Sequence, residues 1–133
     1  MIYNHRYVSL NVLKLLIKKK CGICQPIVGN IRPHWPVYYT KSSNHMDFPD
    51  CDAYYYPTQD QVIDWLEQEH KIFVYSFPLF NLEALYNSCK LLHEGYGVDI
   101  KDEKGTVYNC KKNYKSKEEA INAALLKVLK DLI

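Results

Sequence analysis

Apolar residues recur at helical spacing in three well-marked stretches of the chain and gather into β-type runs between them. In the first stretch Leu10, Leu13, Leu16 and Ile17 follow Ser9, a good N-cap, with Val8 and Leu13 at the positions of a hydrophobic staple. Lys18, Lys19 and Lys20 fall in the last turn, where cations favour the helix dipole, and Gly22 is the expected terminator. The second helix opens at Thr58, which forms a capping box with Gln61. Val62, Trp65 and Leu66 give it a buried stripe, with Trp65 as its anchor. The third begins at Ser116, boxed with Glu119. Ala120, Ala124, Val128 and Leu132 run down one face, widened by Ile121, Leu125 and Leu129.

Between the helices, Val37 to Thr40 is rich in β-formers and predicts a short strand. The chain around it, from Cys24 to Pro57, is broken by prolines and a Ser42-Ser43-Asn44 turn, and reads as connection. Lys71 to Phe80 predicts a strand that Pro78 should end. Leu82, Leu85, Tyr86, Cys89 and Leu92 recur at helical spacing before Gly95, so Asn81 to His93 is expected to be helical. Tyr96 to Lys101 and Thr106 to Cys110 flank Asp102-Glu103-Lys104-Gly105, a hairpin loop with glycine where a positive φ is useful. The core should comprise Val62, Trp65, Leu66, Ile72, Val74, Val98, Val107, Ala120, Ala124 and Val128. The expected fold is α+β: an antiparallel sheet of three to four strands with helices packed mainly on one face, in α-β-β-β-α order over residues 57–133. Residues 1–56 form an N-terminal helix and strand/loop unit packed on that core domain. No βαβ series or glycine-rich phosphate loop points to a doubly wound sheet.

The chain has 133 residues, 47% of them hydrophobic, which suits a globular protein rather than a disordered one. Its formal net charge of +2 hides an uneven distribution. Residues 1–50 carry +5, residues 51–100 carry −6, and residues 101–133 carry +3. No apolar window is long enough for a membrane span, and the lysines follow the first apolar stretch instead of preceding it as a secretory leader requires. A cytoplasmic protein with reduced thiols is expected, no membrane association among its properties.

Candidate chemistry is sparse. Cys21-Gly22-Ile23-Cys24 is a CxxC, half of many zinc sites, with His34, His45 and Cys51 as the only irregularly spaced further ligands; two incidental thiols beside a helix end are the plainer reading. Asp60, Asp64 and Glu67 line one side of the second helix, as a solvated face does. His70 suits the helix C-terminus. No serine sits in a nucleophile elbow. No catalytic set assembles and no cofactor is called for. Two binding surfaces stand out. Lys111, Lys112, Lys115 and Lys117 cluster before the last helix, where they and its free N–H groups could meet phosphates. The 12 tyrosines include the runs Tyr38-Tyr39 and Tyr54-Tyr55-Tyr56, and Tyr38, Tyr39, Tyr54 and Tyr55 suit an aromatic contact surface.

Pro57-Thr58-Gln59, Trp65-Leu66 with His70 and Ile72, Ser116-Lys117-Glu118-Glu119-Ala120 and Ala123-Ala124-Leu125-Leu126-Lys127, with Tyr7-Val8-Ser9-Leu10 near the start, resemble small uncharacterised proteins of Bacteroidetes phages and mobile elements. The resemblance covers about two thirds of the chain. It implies a phage or prophage setting in a bacterial host cell, and no activity. The α-β-β-β-α order, with Ser116-Lys117 and Ala120, Ala123 and Ala124 in the last helix, is also similar to a double-stranded-RNA-binding domain. That family implies phosphate contacts from the start of the helix; Lys117 matches, whereas Glu118 and Ile121 stand where further lysines belong. The expected function is a non-enzymatic accessory protein acting on a protein partner, with host modulation or defence countering as its setting; the alternative is a double-stranded nucleic-acid-binding module.

Overall fold

Three α-helices and five strands are built from the residues that the structure, a computed structural model, describes: 6–32, 34–40, 52–85, 88–109 and 113–133. The fold is α+β, and the chain divides into two units, Met1–Val62 and Ile63–Ile133.

In the first unit, helix α1 spans Leu10–Lys18. The Ser9 hydroxyl caps it, accepting a hydrogen bond from the Val12 N–H at 3.4 Å, and Val8 and Leu13 are both buried. The helix closes earlier than Gly22. Lys20 takes the left-handed conformation at φ 54°; its N–H donates to the Ile17 carbonyl at 3.0 Å, and the Cys21 N–H to the Leu16 carbonyl at 3.2 Å. This is a Schellman closure, and Cys21 and Leu16, both buried, stand at its hydrophobic positions. Glycine is dispensable there because that burial offsets the cost of about 1 kcal/mol for a left-handed lysine.

Strands β1 (Val37–Tyr39) and β2 (Ala53–Tyr55) pair antiparallel, Tyr38 opposite Tyr54. Only β1 is legible as a strand in the sequence. Residues 6–8 run beside 57–59, the Val8 N–H donating to the Pro57 carbonyl at 3.1 Å and the Gln59 N–H to the Arg6 carbonyl at 2.7 Å. Helix α2 (Gln59–Trp65) begins with the full capping box: the Gln61 N–H donates to the Thr58 hydroxyl at 3.2 Å, and the Thr58 N–H to the Gln61 side-chain oxygen at 2.9 Å.

In the second unit the helix continues through a π-turn, Leu66–His70, which Lys71 ends at φ 52°. A three-stranded antiparallel sheet follows in the order β3-β4-β5: Phe73–Leu85, Ser88–Lys101 and Val107–Asn109. Residues 81–85 and 88–93 are therefore strand, not helix, and Pro78 lies inside β3 without ending it. The proline is tolerated because β3 is an edge. Its partner Tyr96 exchanges both backbone hydrogen bonds with Tyr114, at 2.8 Å each, so Pro78 occupies a pair with no ladder bond to lose. The register slips between Leu79 and Phe80, leaving Glu94 as an extra residue on β4 beside Gly95 at φ 148°. The β4–β5 turn is tighter than four residues. The Asp102 N–H donates to the Thr106 carbonyl at 3.1 Å and the Gly105 N–H to the Asp102 carbonyl at 3.0 Å, with Gly105 left-handed at φ 82°.

Helix α3 (Lys117–Lys127) packs on β3 and β4 and runs into a second π-turn, Val128–Leu132. Ser116 accepts from the Glu119 N–H at 3.1 Å. Ala120, Ile121, Ala124, Leu125, Val128 and Leu129 are buried, as are Val74, Val98 and Ile100 of the sheet. Two expected core residues are not: Val107 is 46% exposed because it opens onto the far face of the sheet, and Trp65 is half-buried, its ring edge-on to His70 at 4.9 Å. Among the described residues no helix is long and apolar enough to cross a membrane.

Candidate functional site

The pleat of β1 and β2 divides the tyrosine run between two faces. Tyr54 is buried and Tyr38, directly opposite it, half-buried, so this pair turns away from solvent. Tyr39, 55% exposed, and half-buried Tyr55 lie on the other face. Tyr55 also organises what precedes it: its hydroxyl accepts from the Arg32 N–H at 2.6 Å and its ring meets Trp35 edge-on at 5.3 Å. The Arg32 guanidinium sits 4.9 Å from the centre of the Trp35 ring.

Cys21 and Cys24 bracket a single turn in which the Cys24 N–H donates to the Cys21 carbonyl at 3.1 Å. Both thiols are free and buried. Burial pushes Cys21 up despite nearby Lys19, and burial together with Cys21 pushes Cys24 up to about 12. Thiols held protonated in this way are poor nucleophiles. Among the described residues no three His, Cys, Asp or Glu side chains gather around a point where an ion could sit; His45 and Cys51 lie outside the described residues.

Of the lysine cluster, Lys115 is exposed and Lys117 is the first residue of α3, half-exposed beside its N-terminus. Lys111 and Lys112 lie outside the described residues. Asp60, Asp64, Glu67 and Glu69 are all exposed. A shallow pocket of about 230 Å³ lies between the π-turn and the β4–β5 turn, lined by His70, Lys71, Lys104, Asp102 and Tyr108 among others. Its one carboxylate at the centre of a hydrogen-bond network is already committed. Asp102 accepts from the Thr106 and Lys104 N–H groups, 2.9 Å each, and from the Tyr108 hydroxyl at 3.2 Å. These bonds, led by that from Thr106, hold its carboxyl below the ordinary aspartate value. Asp102 is thus a turn anchor rather than a general base.

The features that sequence reasoning missed lie on the long β3–β4 hairpin. Register places Val74, Ser76, Pro78, Phe80 and Leu82 on one face of β3 and Phe73, Tyr75, Phe77 and Leu79 on the other. On the face that also carries the buried Val74 and Val98, the outer half of the hairpin stays uncovered: Phe80 is 52% exposed, Leu82 63% and Leu91, opposite Leu82, 61%. Exposed His93 joins this strip, its ring 5.5 Å from Phe80 and 4.9 Å from Tyr96. On the opposite face Tyr75 is 51% exposed and Phe77 37%. The Phe77 ring lies across Gly97, so near that a Cβ there would stand 2.7 and 2.8 Å from its Cε2 and Cζ atoms. Lys101 reaches over the Tyr75 ring, its ammonium 5.8 Å from the centroid.

Comparison with known proteins finds no matching family model, no similar curated protein and no similar solved structure.

Proposed function

We propose that this chain is a non-enzymatic accessory protein that works by docking the outer part of its β3–β4 hairpin onto a protein partner, a host or phage protein in the cytoplasm of a bacterial cell. One observation carries the proposal: Phe80, Leu82 and Leu91 share one face of the hairpin and are each more than half exposed. Large apolar side chains grouped in this way mark interaction sites, whereas scattered ones do not. The strip favours a protein over a nucleic acid because its one titratable described side chain is His93. Phosphate binding wants fixed cations, and interface cores are poor in charge and rich in aromatic residues.

The test pairs wild type with Leu82→Lys/Leu91→Lys. Both side chains face water, so the fold should tolerate the change to within about 0.5 kcal/mol by thermal melt. The partner retained by wild type from a host lysate is then produced and titrated against both proteins. A charge buried in the contact should weaken binding at least about 30-fold. Equal binding by the two proteins, or no partner retained by wild type, overturns the proposal.

A further inference from the structure

We infer that the partner joins β3 as an added antiparallel strand, an extended segment in which every second residue is apolar. This occupant belongs to the docking strip proposed above and depends on that reading.

The backbone of β3 selects it. β3 ends the sheet order, with β4 on one side only. Tyr96 turns both its backbone groups towards Tyr114, so its partner Pro78 has its own carbonyl directed away from β4. The direction alternates along a strand, and the slip at Leu79/Phe80 adds its extra residue to β4, leaving the alternation of β3 intact. The N–H and C=O groups of Phe80 and Leu82 therefore also point outward. Among the described residues no backbone hydrogen bond reaches them from that side. The two β3 residues whose exposed side chains form the strip are thus the same two that hold open donors and acceptors at its margin.

A helix laid on the strip would cover the side chains and leave those backbone groups unanswered beside a drying contact, which is costly. An extended chain meets both needs, taking its hold from the main chain and its specificity from alternate side chains. In an antiparallel pair, two residues that exchange backbone bonds carry their side chains on the same face. The residues set opposite Phe80 and Leu82 must therefore be apolar and aim their own N–H groups at β3. The residues between them lie on the other face, with N–H groups that β3 does not need.

Two acetylated eight-residue peptides of alternating valine and threonine test this. Their side chains are identical, and they differ only in which N–H groups are methylated. The peptide methylated on its threonines keeps the valine N–H groups and should bind, shifting the Phe80 and Leu82 amide signals in two-dimensional NMR and slowing their hydrogen exchange. The peptide methylated on its valines loses two donors to β3 and should bind at least about 30-fold more weakly. Equal binding, a reversed preference, no binding by either peptide, or binding that leaves the Phe80 and Leu82 amides unchanged overturns the added strand. A dimer of the protein alone in sedimentation velocity, with those amides already slow to exchange, overturns it as well, because a second copy then holds the margin. The Leu82→Lys/Leu91→Lys comparison is separate from all of these and decides whether the strip docks a protein at all.

Discussion

Gly95 is where one added methyl group should do the most damage. Its φ of 148° is a region that side-chain-bearing residues rarely adopt. A Cβ built there would stand 2.7 Å from the Tyr114 carbonyl oxygen and run into the Asn113 side chain. Backbone strain of this kind costs about 1–3 kcal/mol. Overpacking against groups that must move adds about 1–3 kcal/mol. Asn113 can turn aside, but the Tyr114 carbonyl accepts from the Tyr96 N–H at 2.8 Å and cannot move without stretching that bond. Gly95→Ala is therefore expected to destabilise by about 3 kcal/mol, a large share of a domain's usual 5–15 kcal/mol. Urea unfolding followed by circular dichroism measures it, with Gly29→Ala as control. Gly29 also has positive φ, at 88°, but open space around it, so it should lose only about 1 kcal/mol. Hydrogen exchange should show the Tyr96 and Tyr114 amides losing protection first. If the two variants unfold within about 0.5 kcal/mol of each other, the close approach of Gly95 to Tyr114 contributes nothing, and the reasoning fails.

Three further outcomes follow from the caps and titrating groups. Thr58→Ala removes the hydroxyl that accepts the Gln61 N–H and should cost about 1 kcal/mol in chemical denaturation, and a loss below about 0.3 kcal/mol would show the box to be idle. Cys21 and Cys24 should alkylate slowly at pH 8 in the native protein and readily in urea, as read residue by residue by mass spectrometry. Because folding raises both pKa values, their contribution to stability is present below about pH 8.5 and lost as pH rises through the folded values, which for Cys24 is about 12; native-state alkylation at the rate of a free thiol would contradict this. Asp102 shifts the other way: its stabilising charge is present above the ordinary value near 3.9 and lost as pH falls through its lower folded value. Asp102→Asn should thus melt with a flatter acid limb than wild type, and parallel limbs would refute the role given to its turn.

The three helices were legible in the chain because each start is written in side chains that do one local job: Ser9, Thr58 and Ser116 each accept an N–H of the first turn. Residues 81–85 and 88–93 were not, because the register puts apolar residues on both faces of the hairpin, Leu82 and Leu91 on one and Leu92 on the other, so no clean alternation marks the strands. On β4 the residues sharing the inner face are Ile100, Val98 and Tyr96, then, past the extra Glu94, His93 and Leu91. The alternation changes phase by one residue at Glu94, so the strand signal of residues 96–100 does not carry back into the stretch before it, whose apolar spacing matches a helix by chance. Gly95, which serves the bulge, then looks like a helix stop. Pro78 misled for a related reason, since a proline ends a central strand but not an edge. The missed aromatic face had a signal in the alternation of Phe73, Tyr75 and Phe77 against Val74 and Ser76. Composition alone cannot say which of two apolar faces a single helix layer will cover. For the tyrosine runs, only the register of β1 on β2 decides that Tyr54 is hidden while Tyr39 is open.

Pro78 has a further consequence for how this molecule behaves among its own copies. The outer margin of β3 is a template for any extended chain, and the oily side chains flanking it would reward such zipping. Midway along that margin, however, stands a nitrogen with no hydrogen to offer. A second chain laid against it can bond in short lengths on either side but cannot run the whole strand, so the protein can keep sticky residues in the open without seeding fibrils.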